Sequence, residues 1–310
     1  MQKPPFELLF EQTITYPDIE YRERLKDLVG LESQIDRLQK MLGVLVNPAG
    51  IEDWKNKHHP EADKLLSYVL KRPPLLVLAG DVGSGKTELA TVIGDAVARQ
   101  EKIGVELFPL SLASRGEGRV GQMTQLISAA FDYTLEKALK LKSYSGKSRG
   151  AVILLVDEAD SLTQSREISQ MHHEDRAGVN AFIRGIDKLA NAKVPAAVIL
   201  CTNRSAALDP AVKRRAAEIL TFTRPNQDQR IDVLTKSLVG LELSEATIKK
   251  LAEVTGANDL RDYGFTYSDL TQRLIPAIVY SAYPDKSISS DIILRSATEV
   301  IPTPPFQDNN

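Results

Sequence analysis

Five apolar or small residues, Leu75-Leu76-Val77-Leu78-Ala79, run directly into Gly80-Asp81-Val82-Gly83-Ser84-Gly85-Lys86-Thr87, and the helical pattern ELATVIGDAVARQ follows at once. No other stretch constrains the fold as tightly. A short strand has to end in a loop whose glycines take backbone conformations closed to other residues, and that loop has to open a helix. Main-chain N–H groups and the positive end of the helix dipole then converge, which is the arrangement that wraps a chain of phosphates. Lys86 is expected to reach the β- and γ-phosphates and Thr87 to ligate Mg²⁺. Gly80 to Glu88 thus form the candidate ATP contact surface.

The rest of the chain supplies a sheet to carry that loop. Apolar runs at 75–79, 105–110, 151–156, 196–201 and 217–222 are near-continuous Val, Ile and Leu. That is the pattern of strands covered on both faces and therefore parallel. Between them Met123, Leu126, Ile127, Ala130, Phe131, Leu135, Ala138 and Leu139 recur at helical spacing, as do Val179, Phe182, Ile183, Ile186 and Leu189. The class is α/β. Past Arg224-Pro225 the pattern turns helical, with segments near 226–239, 244–255, 267–282 and 289–299. The expected organisation is a short extension over 1–26, a large α/β domain over 27–224, a helical lid domain over 225–301 and a disordered proline-rich tail over 302–310.

Composition narrows the function. With 43% hydrophobic and 26% charged residues over 310 positions, the chain is an ordinary globular one. No apolar run in it nears the roughly 18 residues that would cross a bilayer. The N-terminal MQKPPFELLFEQ carries acids and prolines where a secretory signal needs a basic start and an apolar block, so a cytoplasmic location is expected. A net charge of −2 does not favour nucleic acid as a partner. The single cysteine, Cys201, ends an apolar run and reads as a packed thiol. His58-His59 and His172-His173 lack a third ligand at useful spacing and read as polar surface, and Trp54 reads as a packing anchor.

A second acidic site should sit on a neighbouring strand, and AVILLVDEAD provides it. Asp157 can bind the magnesium through water, while Glu158 can orient and deprotonate an attacking water. Two adjacent carboxylates of this kind serve hydrolysis rather than mere retention. Asn203, ending the next strand in CTNR, can hold the same water from the other side, and LDPAVKRRAAE places Arg214 and Arg215 just past a short helix.

Taken together these motifs resemble those of an AAA+ ATPase: GDVGSGKT its Walker A, LLVDEAD its Walker B, Asn203 its sensor 1, and LDPAVKRRA the segment ending in its arginine finger. DLVGLESQIDRL over 27–38 is similar to the linker that borders the adenine, which implicates Val29 and Gly30, and GFTYSDL over 264–270 resembles the start of the lid helix. RAGVNAFIRGIDKL is similar to the corresponding helix of the pachytene-checkpoint type, hexameric remodelers of HORMA-domain proteins. Short bacterial members linked to cyclic-oligonucleotide antiphage signalling (CBASS) are the nearest likeness. The resemblance implies a homo-oligomer of six, ATP and Mg²⁺, a HORMA-domain client, and Arg215 acting in trans on the neighbour's nucleotide, with Arg214 beside it as the alternative.

Several departures from the pattern matter. The likeness begins near residue 27, so no sizeable N-terminal docking domain is expected and client recognition should fall on the ring surface or pore. SRGEGRVGQ puts Arg119 and Val120 where such motors grip a threaded chain, although three glycines there also suit plain mobility. QMHHED falls where a second pore loop belongs. The sensor 2 arginine falls at Ser268, leaving open whether Arg273 takes its place. Competing readings are a clamp-loader or helicase-loader type ATPase, a nucleotide-dependent switch, and an unfoldase serving a separate protease.

Overall fold

The computed structural model describes residues 4–10, 12–111, 122–143, 147–160, 173–204, 208–259 and 261–306. The chain forms two compact units. The first comprises residues 1–26, 33–79 and 87–221, and the second 27–32, 80–86 and 222–310.

The first unit is built on a six-stranded sheet of order β1-β3-β4-β5-β2-β6. Its strands are β1 (Ile14–Tyr16), β2 (Leu75–Gly80), β3 (Gly104–Ser111), β4 (Gly150–Asp157), β5 (Ala196–Thr202) and β6 (Ala216–Phe222). All five apolar runs read from the sequence are strands, and β3, β4, β5 and β2 pair in parallel. Strands β4 and β5 are almost wholly buried along their length, as the lack of alternation in their sequences requires. Helices α1 (Phe6–Leu9), α2 (Ile19–Asp27), α3 (Glu32–Val46), α4 (Pro48–His58), α5 (Asp63–Leu70), α6 (Lys86–Glu101), α7 (Gln122–Leu141), α8 (His173–Ala192) and α9 (Pro210–Arg215) accompany it.

The N-terminal stretch is a working part of this unit. Strand β1 pairs antiparallel with β3, an addition that its three residues are too short to announce in sequence. Phe6 and Phe10 pack on Phe108 with ring centres 5.2 and 5.0 Å away, and the Asp18 N–H donates to the buried Asp95 carboxylate at 2.8 Å. Residues 4–10 and 12–26 therefore close the sheet's edge and cover its face, where the sequence suggested only an extension. Trp54 keeps 46% of its surface exposed and lies against His58 and His59, so it is only half the anchor expected. Among the described residues no cluster of metal-ligating side chains occurs, and no helix is long and apolar enough to cross a membrane.

The second unit is helical after Phe222: α10 (Gln227–Ser237), α11 (Glu245–Val254), a π-helical turn (Asp269–Leu274) leading into α12 (Ile275–Ala282), and α13 (Ser290–Glu299). Asn226 and Gln229 form a reciprocal capping box and Ser244 caps α11, as its position before EATIKKLAEVTG predicts. A core of Leu234, Leu251, Phe265, Leu270, Leu274, Ile278 and Ile293 holds these helices together. The tail is not disordered from residue 302 onward. Pro302 is buried, and the Thr303 N–H and hydroxyl both donate to Asp269, at 3.0 and 2.7 Å. A buried carboxylate with free acceptor capacity outweighs the disorder tendency of a polar, proline-rich composition. Residues 307–310 lie outside the described part.

Helices α7 and α8 meet where Phe131 stacks edge-on against Phe182, ring centres 5.6 Å apart, and a Cβ on Gly185 would lie 2.3 Å from the Phe131 ring. Alanine at 185 improves helix propensity by about 1 kcal/mol, but forcing a fully packed ring aside costs about 1–3 kcal/mol. Gly185→Ala should therefore lower stability, read as a fall in the urea midpoint at unchanged slope.

Candidate nucleotide-hydrolysis site

In the second unit the loop Gly80–Lys86 is held from several sides. Gly80 sits at φ +155°, and a Cβ there would lie 1.9 Å from the Phe222 carbonyl oxygen. No residue with a side chain fits. The Phe222 oxygen accepts from the Asp81 N–H at 3.3 Å. Lys86 is only 6% exposed, and its Nζ donates to the carbonyls of Gly80 and Asp81 at 3.0 and 2.6 Å. Ser84, fully buried, donates to the Asp81 carbonyl at 2.7 Å, which fixes the turn rather than leaving the hydroxyl to a ligand. Asp81 is likewise committed to the loop's own support. Its carboxylate takes the Arg224 Nε at 2.5 Å, with both side chains less than a fifth exposed, and Arg224 also donates to the Gly264 carbonyl at 2.6 Å.

The same unit forms a cavity of about 290 Å³ lined by Leu28, Val29, Leu31, Gly85, Lys236 and Tyr267 among others. Of the two residues expected beside the base, Val29 lies in the wall of this mostly apolar cavity and Gly30 is not among its lining residues. Gly30 takes φ +78°, and its carbonyl accepts from Gln229 Nε2 at 2.8 Å and from the Tyr267 hydroxyl at 3.4 Å. Burial, with the Glu32 charge adding to it, pushes the Tyr267 phenol up to about 12. It therefore remains a donor at any physiological pH. Ser268 lies against the phosphate loop, its N–H donating to the Gly83 carbonyl at 3.1 Å. Val82 is exposed at the loop's outer side. Arg273, in doubt as a substitute for sensor 2, donates instead to Asp269 and Thr303 at 3.0 and 3.4 Å.

The chain passes into the first unit between Lys86 and Thr87. There the exposed Thr87 hydroxyl donates to the Asp157 carboxylate at 3.2 Å, joining the start of α6 to the end of β4. The same Asp157 oxygen accepts from the Glu158 N–H at 2.9 Å. Glu158 is exposed and sits at φ +51°, in the left-handed region. An L-residue adopts that backbone at a cost of about 1–3 kcal/mol, and such strain is stored where a side chain must be aimed. Sequence reasoning passed over Asp160, the last residue of the DEAD run. Its carboxylate accepts from Thr202 Oγ1 at 2.7 Å, the Asn203 N–H at 2.8 Å and Asn203 Nδ2 at 3.2 Å, and so fixes the Asn203 amide beside the end of β4. The Glu88 carboxylate accepts from Arg24 through two bonds of 2.9 Å.

Arg215 closes α9, where the Asp209 side chain caps the first turn. Asp187 on α8 takes its Nε and Nη2 at 2.7 and 2.9 Å, and Nη1 reaches the Ala211 carbonyl at 3.2 Å. These bonds to Asp187 raise the pKa of a guanidinium that is already charged at any working pH. The neighbouring Arg214 is exposed, and among the described residues it bonds its own helix, through the Pro210 carbonyl at 3.3 Å. Arg119 and Val120, with His172 and the side chain of His173, lie outside the described residues.

Strand, phosphate loop, paired acids and helical second unit together define a P-loop nucleoside triphosphatase, and the chain belongs to the AAA ATPase family, whose members hydrolyse ATP. The model of the ATPase family associated with various cellular activities (AAA) matches residues 76–224. CD-NTase-associated protein 6 of Escherichia coli (strain MS 115-1) is 61% identical over 306 residues, 99% of this chain and 98% of the relative. A chain in the solved E. coli MS115-1 HORMA:CdnC:Trip13 complex superposes with a TM-score of 0.91 at 60% identity, covering 99% of this chain and 100% of that one. The structure of Rhizobiales Trip13 matches with a TM-score of 0.75 at 55% identity over 96% of this chain and 100% of that one.

If Asp160 is what fixes the Asn203 amide, its loss should be felt in turnover rather than in binding. Asp160→Ala is expected to lower kcat for ATP roughly ten- to hundred-fold, since misplacing a positioned group by about 1 Å costs up to that much. Nucleotide affinity, measured by fluorescence titration, should stay within about twofold of the parent, the range expected when a group bears on the reacting water alone.

Proposed function

We propose that this chain is an ATP-driven remodeler of a protein client, working as a ring of six copies in the cytoplasm, and that the client is a HORMA-domain protein of an antiphage signalling system. The observation that carries this reading is the full-length likeness, at 60% identity, to a chain solved in a complex with HORMA and CdnC. No membrane or nucleic-acid partner enters it.

The residues fit ATP and magnesium. Gly80 admits only a bare backbone against the Phe222 carbonyl, and the Lys86 ammonium is already directed into the loop. The Thr87 hydroxyl and Asp157 carboxylate offer hard oxygen donors side by side, the kind that magnesium takes. When bound, the metal would neutralise charge on the β- and γ-phosphates. The chain supplies the rest. Main-chain N–H groups from Gly80 to Lys86 and the Lys86 ammonium hold the phosphates, while Val29, Gly30 and their surroundings hold the base.

Glu158 takes a proton from water whose oxygen attacks the γ-phosphorus; the bond to the β–γ bridging oxygen breaks, leaving ADP and inorganic phosphate. Asn203, steadied by Asp160, orients that water. Arg215 is offered to the next copy in the ring. Asp187 and Ala211 occupy three of its five N–H donors, so the fork is held in one orientation with donors left for a neighbour's phosphate. Among the described residues Arg214 bonds only the Pro210 carbonyl of its own helix, which favours Arg215 as the finger. Arg119 and Val120 are assigned to gripping the client. Opening a domain of about 5–15 kcal/mol stability is within reach of one or a few turnovers.

Glu158→Gln is expected to bind ATP yet turn it over at least about a hundredfold more slowly, in keeping with loss of a general base. The same variant should retain the client in an ATP-dependent pull-down. Turnover at the parental rate would remove Glu158 from the role of base. Arg215→Ala should abolish hydrolysis at near-parental nucleotide affinity. Mixing it with Glu158→Gln should restore part of the activity, since some interfaces then pair an intact Glu158 with an intact Arg215. Absence of complementation at every ratio would rule out action across the interface.

A further inference from the structure

We propose that the C-terminal segment 302–306 is a strap that sets how firmly the second unit grips the phosphate loop, with Thr303 as its positioning residue. The buried charge it serves is Asp269, fully excluded from solvent at the start of the π-helical turn. Four donors meet this carboxylate: the Thr266 N–H at 3.0 Å, the Thr303 N–H at 3.0 Å, the Thr303 hydroxyl at 2.7 Å and Arg273 Nη1 at 3.0 Å. The strap therefore supplies two of them. Burial alone would raise the Asp269 pKa, but the bonds from Thr266 and Thr303 prevail and hold it below the ordinary carboxylate range.

Asp269 is in turn locked to the residues that touch the loop. Its own N–H donates to Thr266 Oγ1 at 3.0 Å. That hydroxyl sits where a Cβ on Gly83 would come within 2.7 Å, and the Ser268 N–H reaches the Gly83 carbonyl at 3.1 Å. Residues 266 to 268 thus rest directly on the middle of the phosphate loop. A buried carboxylate that loses half of its donors must either admit water or move toward new ones. Either adjustment shifts Thr266 and Ser268 and loosens their hold on Gly83. The strap acts on the loop through Asp269, at a distance from any reacting atom, and its role depends on nucleotide occupying that loop but not on client or ring.

The test is the dissociation rate of fluorescent mant-ADP from the full chain, followed by stopped flow after mixing with excess ATP. Thr303→Val removes the hydroxyl while keeping shape and the main-chain bond, and should release mant-ADP about tenfold faster, as loss of a hydrogen bond to a charged group predicts. Thr303→Ser should bring the rate back near the parental one, a rescue that mere packing of residue 303 would not give. A chain ended after Ile301 should release at least as fast as Thr303→Val. Lys86→Ala, expected to lose mant-ADP binding in the same assay, separates failure of the strap from failure of the site. With that control in place, a parental release rate for Thr303→Val overturns the strap, and so does a lowered melting temperature with no change in rate.

Discussion

A lysine ammonium placed under a backbone loop is the constraint from which the rest of this molecule follows. Lys86 is nearly buried, and the loop turns its own carbonyls at Gly80 and Asp81 inward to meet the charge. Placing a cation there is costly unless polar groups are preorganised around it. The preorganisation comes from a glycine pressed on the Phe222 carbonyl, the buried Ser84 hydroxyl, and the Arg224 to Asp81 pair. Phe222 and Arg224 tie the loop to the end of β6 and the stretch that follows it, and Ser84 ties the loop to itself. The loop thus holds the ammonium in place through its own backbone, so the charge is positioned by the fold itself.

What could be read from the sequence divides along a physical line. Strands β2, β4 and β5 were legible because burial on both faces leaves no polar alternation to confuse the pattern, and the phosphate loop because glycines, lysine and threonine have to occur in a fixed order. Helices of the second unit were legible through caps such as Ser244. Strand β1 escaped because three residues carry no periodicity, and its place is decided by pairing with β3 far along the chain. Ser84 and Glu88 show what spacing leaves out. Residue type and spacing placed them at the nucleotide, and the side-chain bonds they make to Asp81 and Arg24 are contacts that no local pattern encodes.

The same division holds for the carboxylates that organise the site without entering the chemistry. Asp160, Asp187 and Asp269 were each inside a quoted motif, yet their importance lies in partners 42, 28 and 34 residues away in sequence. Asp269 also bears on two points of the sequence reading together, one an expectation and one left open. It holds the tail that composition marked as disordered, and it engages the arginine that stood in doubt as a substitute for a sensor.

Helix α8 has a mechanical consequence. One close seat is the Gly185 contact with the Phe131 ring. A helix of that length is a stiff rod about 30 Å long. The seat lies about 3 Å of helix rise from Asp187 and about 18 Å from His173. Val179, Phe182, Ile186 and Leu189 of the same helix are also buried, so the rod is seated along most of its length and Asp187 falls inside that seated stretch. The arginine that Asp187 holds is thereby referred to a part of the helix fixed by the core itself.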